Sequence, residues 1–495
     1  MREERYVIGI DQSTQGTKAL LFNGEGSLVL RQDAPHRQLV NEKGWISHDP
    51  EEIYRNTIKT VTGLIRASGI KESQLAAMGI SNQRETSLIW DKISGKPLND
   101  AVVWQCARAE KICRKVEQEG KASLIRQRTG LTLSPYFPAS KFAWLLQETK
   151  GARELAARHE LCFGTMDTWL VYRLTRGRSY QTDYSNASRT QLYHIFDLKW
   201  DEEICGIFGI DPEDLPTVRD SDSLFGETDL EGFLEKPVPI HCVLGDSHGA
   251  LFGQGCIRPG MIKATYGTGS SVMMNIGQEP ALGSHGVVTS LAWGMGGKVN
   301  YVLEGNINYT GAVISWLKDD LGMIRSPEET EILCRKAREE GIPYFVPAFT
   351  GLGAPYWDSQ ARGAMVNLNR ASGRAEIVRA CVDSIAYQIA DVVRAMEQDS
   401  GIGVKELRVD GGPSQNTYLM EFQSDVLNAE IMVPGCQELS GLGAAYGAGI
   451  GAGLYDDKIF ERMERRSYRP QMDSALRERK WRGWREAVGK VLTKK

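Results

Sequence analysis

The sequence predicts an α/β protein made of two similar domains, and three observations carry that expectation. A strand, a small polar loop with a glycine and a second strand stand near the start, as Tyr6-Val-Ile-Gly-Ile10, Asp11-Gln-Ser-Thr-Gln-Gly-Thr-Lys18 and Ala19-Leu-Leu-Phe22. The same unit returns about 250 residues later as Gly260-Met-Ile-Lys-Ala-Thr-Tyr266, Gly267-Thr-Gly-Ser-Ser271 and Val272-Met-Met-Asn-Ile276, the pattern of a diverged duplication. Elsewhere apolar strand runs alternate with helix-period segments, as α/β architecture requires. The 495 residues are about three times the usual domain length, and cores tend to split beyond ~250 residues.

The elements follow in order. Asp49-Pro50 opens a helix whose apolar stripe is Ile53, Thr57, Val61, Leu64 and Ile65. Leu75-Ala-Ala-Met-Gly-Ile80 reads as a buried strand and Ala101-Val-Val-Trp104 as another. His241-Cys-Val-Leu244 is a strand running into Gly245-Asp-Ser-His-Gly249 and then a helix. Leu407-Arg-Val-Asp410 is a short strand, Gly411-Gly412 a sharp turn, and residues 416–427 a helix. Trp481, Trp484, Val488 and Leu492 fall at helical spacing, so the basic last segment reads as an amphipathic helix docked by its Trp face. The glycines of Gly253-Gln-Gly255 suit a hinge, which divides the chain into domains 1–253 and 254–495.

Composition narrows the function classes. Fifty-nine basic against sixty-three acidic residues leave a net charge of −4, no footprint for gripping nucleic acid, so small molecules are the expected ligands. Neither a hydrophobic signal core after Met1-Arg-Glu-Glu-Arg5 nor a run of 18 apolar residues is present, and a cytoplasmic location is expected. Nine cysteines, never spaced as CxxC, read as small buried groups, and seven histidines without an HExxH pair give little for a transition metal.

The two glycine loops suit phosphate. Backbone N–H groups in a Gly, Ser and Thr turn converge on an anion, and the hydroxyls of Thr14, Thr17 and Thr268 with the Lys18 ammonium add donors and charge. Asp11 either caps its turn or holds Mg²⁺, a hard ion bound through one or two carboxylates and water. Gly411 and Gly412 either make a tight turn or let backbone approach a nucleotide. Gly441-Leu-Gly443-Ala-Ala-Tyr446 breaks the dinucleotide fingerprint at its last glycine, which disfavours a nicotinamide enzyme.

Residues 245–249 match GxSxG in a strand-turn-helix context, so a serine hydrolase using Ser247 is an alternative. It fails on order, because beyond His248, adjacent in sequence to Ser247, the only downstream histidine is His285 with one acid, Glu279, between. The other reading makes Asp246 a general base, which suits phosphoryl transfer to a hydroxyl. Arg84-Glu85 is either a solvated ion pair or, with the faces of Trp104 and Tyr136, a site for a small polyol.

These residues carry a resemblance. Gly44-Trp-Ile-Ser-His-Asp-Pro50, Ser81-Asn-Gln-Arg-Glu-Thr86, Val103-Trp-Gln-Cys106, Phe163-Gly-Thr-Met-Asp-Thr-Trp169, Thr182-Asp-Tyr-Ser-Asn-Ala-Ser-Arg189, Pro347-Ala-Phe-Thr-Gly-Leu-Gly-Ala-Pro-Tyr-Trp-Asp358 and Val409-Asp-Gly-Gly412 are similar to segments of glycerol kinases, in the FGGY carbohydrate kinase family. The resemblance implies two duplicated domains of the actin, Hsp70 and ribonuclease H-like type, with a cleft that closes on ATP and polyol. It implies Asp246 as the base, with Arg84, Glu85, Trp104 and Tyr136 on the polyol. Thr14, Lys18, Thr268, Gly311, Gly411, Gly412 and Asn416 fall on the nucleotide, and Asp11 on Mg²⁺. A homo-oligomer, dimer or tetramer, goes with it. An actin-like or Hsp70-like ATPase without a polyol pocket is the contrasting class.

The chain departs from the pattern at the substrate. Glycerol kinases usually continue Asp-Gln-Gln where this chain has Asp246-Ser247-His248, and Gly-Thr-Gly-Cys-Phe where it has Gly267-Thr-Gly-Ser-Ser271. Ser247 and Ser271 therefore face the acceptor in place of Gln and Phe. Glycerol, converted to glycerol 3-phosphate, is the first expectation, and a four- or five-carbon polyol or ketose such as erythritol or xylulose the alternative.

Overall fold

A computed structural model describes residues 4–493; Met1 to Glu3, at the start of the segment read for a signal, lie outside the described residues, as do Lys494 and Lys495. The first domain is built on strands β1 (Tyr6–Gln12), β2 (Gly16–Phe22), β3 (Leu28–Pro35), β4 (Leu75–Asn82), β5 (Leu224–Thr228) and β6 (Val238–Gly245), arranged β3-β2-β1-β4-β6-β5. β1, β2 and β3 form an antiparallel meander, and β4 and β6 then add parallel to β1. Helix α1 (Pro50–Ser68) makes the crossover from β3 to β4 and α2 (Asp246–Gly253) follows β6.

The second domain repeats this plan. Its strands β7 (Ile262–Tyr266), β8 (Ser270–Gly277), β9 (Val288–Met295), β10 (Lys298–Ile307), β11 (Glu406–Asp410), β12 (Glu430–Pro434) and β13 (Arg465–Tyr468) are ordered β9-β10-β8-β7-β11-β12-β13. Again an antiparallel trio, β10-β8-β7, is extended by two parallel strands, β11 and β12. Helix α3 (Arg374–Ser400) is the crossover, α4 (Thr417–Leu427) links β11 to β12, α5 (Leu439–Gly451) follows β12, and α6 (Ser474–Val491) closes the chain. The duplication expected from the two hairpins is present at the level of whole sheets.

Local chemistry explains the elements. Asp49 caps α1 by accepting from the Glu51 N–H at 2.8 Å, Pro50 opens it, and Gly69 ends it in the left-handed conformation. Ile53, Val61 and Leu64 are fully buried on its inner face. All eight residues of β4 are buried, as a parallel strand covered on both faces requires. Trp481 and Trp484 are buried against the second domain, and the Trp484 indole N–H donates to Asp391 at 2.7 Å, so the C-terminal helix docks by its Trp face.

The domains meet where α2 crosses α5. A Cβ on Gly443 would lie 1.9 Å from the Gly249 carbonyl oxygen and one on Gly253 would lie 2.3 Å from that of Leu439, so only glycine permits this approach. Gly443 thus packs against α2, while Gly441 and Ala444 lie against β2 and β4 of the first domain. The expected hinge at 253–255 is part of this packed crossing, with Gly255 at φ +73°. The predicted strand at 101–104 is shorter, Ala101–Val102, because the Trp104 N–H turns away to the Thr86 hydroxyl at 3.3 Å. All nine cysteines are free, eight of them buried. Among the described residues no helix is long and apolar enough to cross a membrane.

Candidate active site

Asp246 stands at the carboxyl end of β6, as the first residue of α2 and 35 % exposed, the position at which open α/β sheets present ligand groups. Its Oδ1 accepts from the Ser247 N–H at 2.6 Å and lies 3.3 Å from Arg84 Nε. Arg84 is buried, which corrects the solvated ion-pair reading. Its two terminal nitrogens donate to Glu304 Oε2 and Oε1, each at 3.0 Å, while its Nε–H makes no hydrogen bond. Glu85 is 2 % exposed at φ +60°, a conformation non-glycine residues rarely adopt and one that clusters at functional sites. Arg189 Nε holds its Oε1 at 2.7 Å.

Trp104 and Tyr136 meet edge to face at 5.5 Å and form an aromatic wall beside this group. The Trp104 indole N–H donates to the Thr14 hydroxyl at 3.0 Å, so the wall is tied to the first glycine loop. Behind Tyr136, the ammonium of Lys141 binds the Tyr136 carbonyl and lies 3.4 Å from that of Glu85; burial pulls its pKa down to about 7.

The first loop carries the charges placed there by the sequence. Asp11 is 7 % exposed, and burial pushes its carboxyl up to about 6, partly offset by Lys18 and reinforced by Asp246 and Glu438. Lys18 lies 3.9 Å from Asp11 and donates to Glu438 at 2.7 Å; Glu438, at the start of α5, is also bound by Arg31. Thr17, read as a third donor, is fully buried, so its hydroxyl is not offered to a ligand. In the second loop the carbonyls of Gly267 and Thr268 accept from the Gly311 and Thr310 N–H groups, both at 2.9 Å. Ser271 lies beside Asn306 and Thr265 in the sheet, and its buried hydroxyl has no partner.

A cavity of about 460 Å³ in the second domain gathers three residues predicted for the nucleotide. Gly311, Gly412 and Asn416 line it with Ile314, Val382 and Leu419. Asn416 caps α4 through the Leu419 N–H at 3.0 Å and donates to Thr330 at 2.9 Å. Gly411, at φ +95°, has no room for a Cβ, which would lie 2.0 Å from the Tyr266 carbonyl oxygen, so β11 turns tightly into this cavity's rim. Gly411 and Thr268 are not among its lining residues.

The serine hydrolase alternative finds no support in the geometry. His285 pairs with Asp399 at 2.7 Å and with Ser284 at 3.1 Å, half-exposed and away from Ser247. His248 is fully buried with neither ring nitrogen hydrogen-bonded, and burial and Arg84 hold it neutral, well below the usual imidazole pKa. Reading the residues alone missed Glu304, Arg189 and Glu438. Glu304 carries a signal, a lone carboxylate in the apolar run Tyr301-Val-Leu-Glu-Gly305, since an acid in a buried strand needs a cation.

Comparison with known proteins agrees with this geometry. Residues 6–253 match the N-terminal domain and residues 262–452 the C-terminal domain of the FGGY family of carbohydrate kinases. The chain is 46 % identical to glycerol kinase 1 of Thermotoga maritima over 491 residues, 99 % of this chain and 100 % of that protein. It is 45 % identical to the glycerol kinase of Petrotoga mobilis over 98 % of both chains. The crystal structure of Plasmodium falciparum glycerol kinase with ADP superposes with a TM-score of 0.93 at 33 % identity, covering 99 % of each chain. Two duplicated sheets, a carboxylate at the end of β6 and a match along nearly the whole length lead to one conclusion: the chain belongs to the FGGY family of carbohydrate kinases.

Proposed function

We propose that the chain transfers the γ-phosphoryl group of ATP to a primary hydroxyl of a small polyol, with glycerol the first acceptor and glycerol 3-phosphate the product. The observation that carries this reading is Asp246, a partly exposed carboxylate 3.3 Å from the Arg84 guanidinium at the end of β6. In the proposed step Asp246 accepts the proton of the attacking hydroxyl as its oxygen bonds to the γ-phosphorus and ADP leaves. Arg84 and Glu85 pair with the other hydroxyls, and Trp104 and Tyr136 cover the C–H faces. Ser247 and Ser271 border the acceptor.

Thr14, Lys18 and Thr268 attend the phosphates, and Gly311, Gly411, Gly412 and Asn416 the rest of the nucleotide. The first domain, 1–253, then supplies the acceptor pocket and the first phosphate loop, and 254–495 the nucleotide cavity. Among the described residues no three His, Cys, Asp or Glu are grouped to hold a metal by themselves. That fits Mg²⁺, which takes one or two carboxylates and completes its shell with phosphate and water. Asp11, buried and 3.9 Å from Lys18, whose ammonium donates instead to Glu438, is the residue suited to it. When bound, the ion would neutralise charge on the β- and γ-phosphates.

The names of the relatives favour glycerol, and the small side chains of Ser247 and Ser271 favour keeping a longer polyol or ketose in view. The reading includes a cytoplasmic enzyme and a dimeric or tetrameric assembly, which light scattering tests. The deciding experiment is ADP release measured with glycerol, erythritol, xylulose and ribulose. Turnover with glycerol above the others supports the first reading; turnover with none of them overturns it.

A further inference from the structure

Glu304 lies on β10 of the second domain, fully buried, yet its carboxylate is spent on arginines of the first. Oε2 accepts from Arg84 Nη1 and Oε1 from Arg84 Nη2, both at 3.0 Å, and Arg189 Nη1 stands 2.9 Å from Oε2. Arg189 in turn donates to Glu85 at 2.7 Å. Two arginines and two glutamates, each at most 5 % exposed, form a neutral box with one corner in the opposite domain. Burial alone would push the Glu304 carboxyl up, but Arg189 and Arg84 hold it well below the usual carboxylate range.

The fork matters for what Arg84 can do. A carboxylate that takes both terminal nitrogens fixes the plane of a guanidinium. The remaining edge, with its unpaired Nε–H, is left toward Asp246. Because the fork comes from the second domain, that orientation exists only while the domains touch. The same strand ends at Ile307, just before Thr310 and Gly311, whose N–H groups bind the second phosphate loop.

We propose that Glu304 is a positioning residue: it acts through Arg84, setting the guanidinium for the acceptor beside Asp246, and so makes acceptor binding depend on contact between the domains. This rests on the polyol kinase reading.

The test is a double-mutant cycle on the full chain with Glu304→Gln, Arg84→Lys and the double variant, read as KM for glycerol and as Kd for ADP without acceptor. Glu304→Gln should raise the glycerol KM ~10- to 100-fold and leave the ADP Kd within ~2-fold. On the Arg84→Lys background the same change should add no more than ~2-fold, and Glu304→Asp should recover part of the loss. An unchanged glycerol KM, effects that multiply across the cycle, or an ADP affinity lost with the acceptor affinity, as in a misfolded variant, would each overturn the inference. A wild type that turns over no polyol removes the kinase reading itself, whereas an active wild type with an unaffected Glu304→Gln variant removes only this role.

Discussion

Trp104 and Thr14, 90 residues apart in the sequence, are joined by a 3.0 Å hydrogen bond from the indole N–H to the threonine hydroxyl. The aromatic wall of the proposed acceptor pocket and the first glycine loop therefore share one contact. Thr14→Val leaves a partly buried N–H unpaired, a loss worth roughly 1–3 kcal/mol. We expect KM for both acceptor and ATP to rise ~5- to 50-fold, with Thr14→Ser within ~2-fold of wild type. Steady-state kinetics varying each substrate in turn checks this, and a change confined to ATP would mean that the contact carries nothing to the wall.

Asp246→Asn keeps the shape of the side chain but removes its ability to take a proton. It should lower kcat at least ~10²-fold, the scale of general-base catalysis. Nucleotide binding should persist, because the cavity formed by Gly311, Gly412 and Asn416 is in the other domain. Calorimetric titration with ADP beside a turnover assay separates the two; wild-type turnover would remove Asp246 from the mechanism.

Asp11 gives a pH dependence whose sign follows from its raised pKa. The folded value of about 6 lies above the ordinary 3.8, so between them the native state holds the extra proton. The ligand-free protein then loses stability as pH rises through that window, by at most ~3 kcal/mol. Asp11→Asn should melt higher than wild type by ~2–5 °C at pH 7.5 without Mg²⁺ or nucleotide, and within ~1 °C of wild type at pH 4. Its kinase activity should fall. A melting difference that does not vary between these pH values would exclude the titration of Asp11 as its source.

What could be read from the chain and what could not separate by distance. The hairpins at Asp11 and Gly267, the capped helix at Asp49 and the turn at Gly411 are written in neighbouring residues, and the structure reproduces them. Asp246 is legible as an acid at a strand's end, and Arg84 and Glu85 through the resemblance of Ser81-Asn-Gln-Arg-Glu-Thr86 to glycerol kinases, since arginine beside glutamate is common along this chain. Their restraints were not, since Glu304 is 220 residues from Arg84 and Glu438 is 420 from Lys18. Only the docking of the two domains, with α2 crossing α5, brings those carboxylates in. Packing explains Gly441-Leu-Gly443, which only partly matches the dinucleotide fingerprint: a Cβ on Gly441 would lie 2.4 Å from Leu20 Cδ1 of β2, and one on Gly443 would strike α2.

Ser271 carries the last prediction. Its hydroxyl is buried without a partner, on β8 beside Asn306 of β10, two residues from Glu304. Glycerol kinases usually place Phe there and Gln at Ser247. A phenyl ring would remove room for two or three heavy atoms and cover a three-carbon chain, whereas the smaller serine leaves that space to a longer acceptor. Pocket changes of this size shift specificity by ~1–3 kcal/mol, about 10- to 200-fold. Ser247→Gln/Ser271→Phe should therefore raise the kcat/KM ratio of glycerol to erythritol by at least ~10-fold, gaining on glycerol and losing on erythritol, xylulose and ribulose. Comparing the four substrates on wild type and variant decides it. A wild type that already prefers glycerol, with no gain in the variant, would show that these two positions do not set acceptor length.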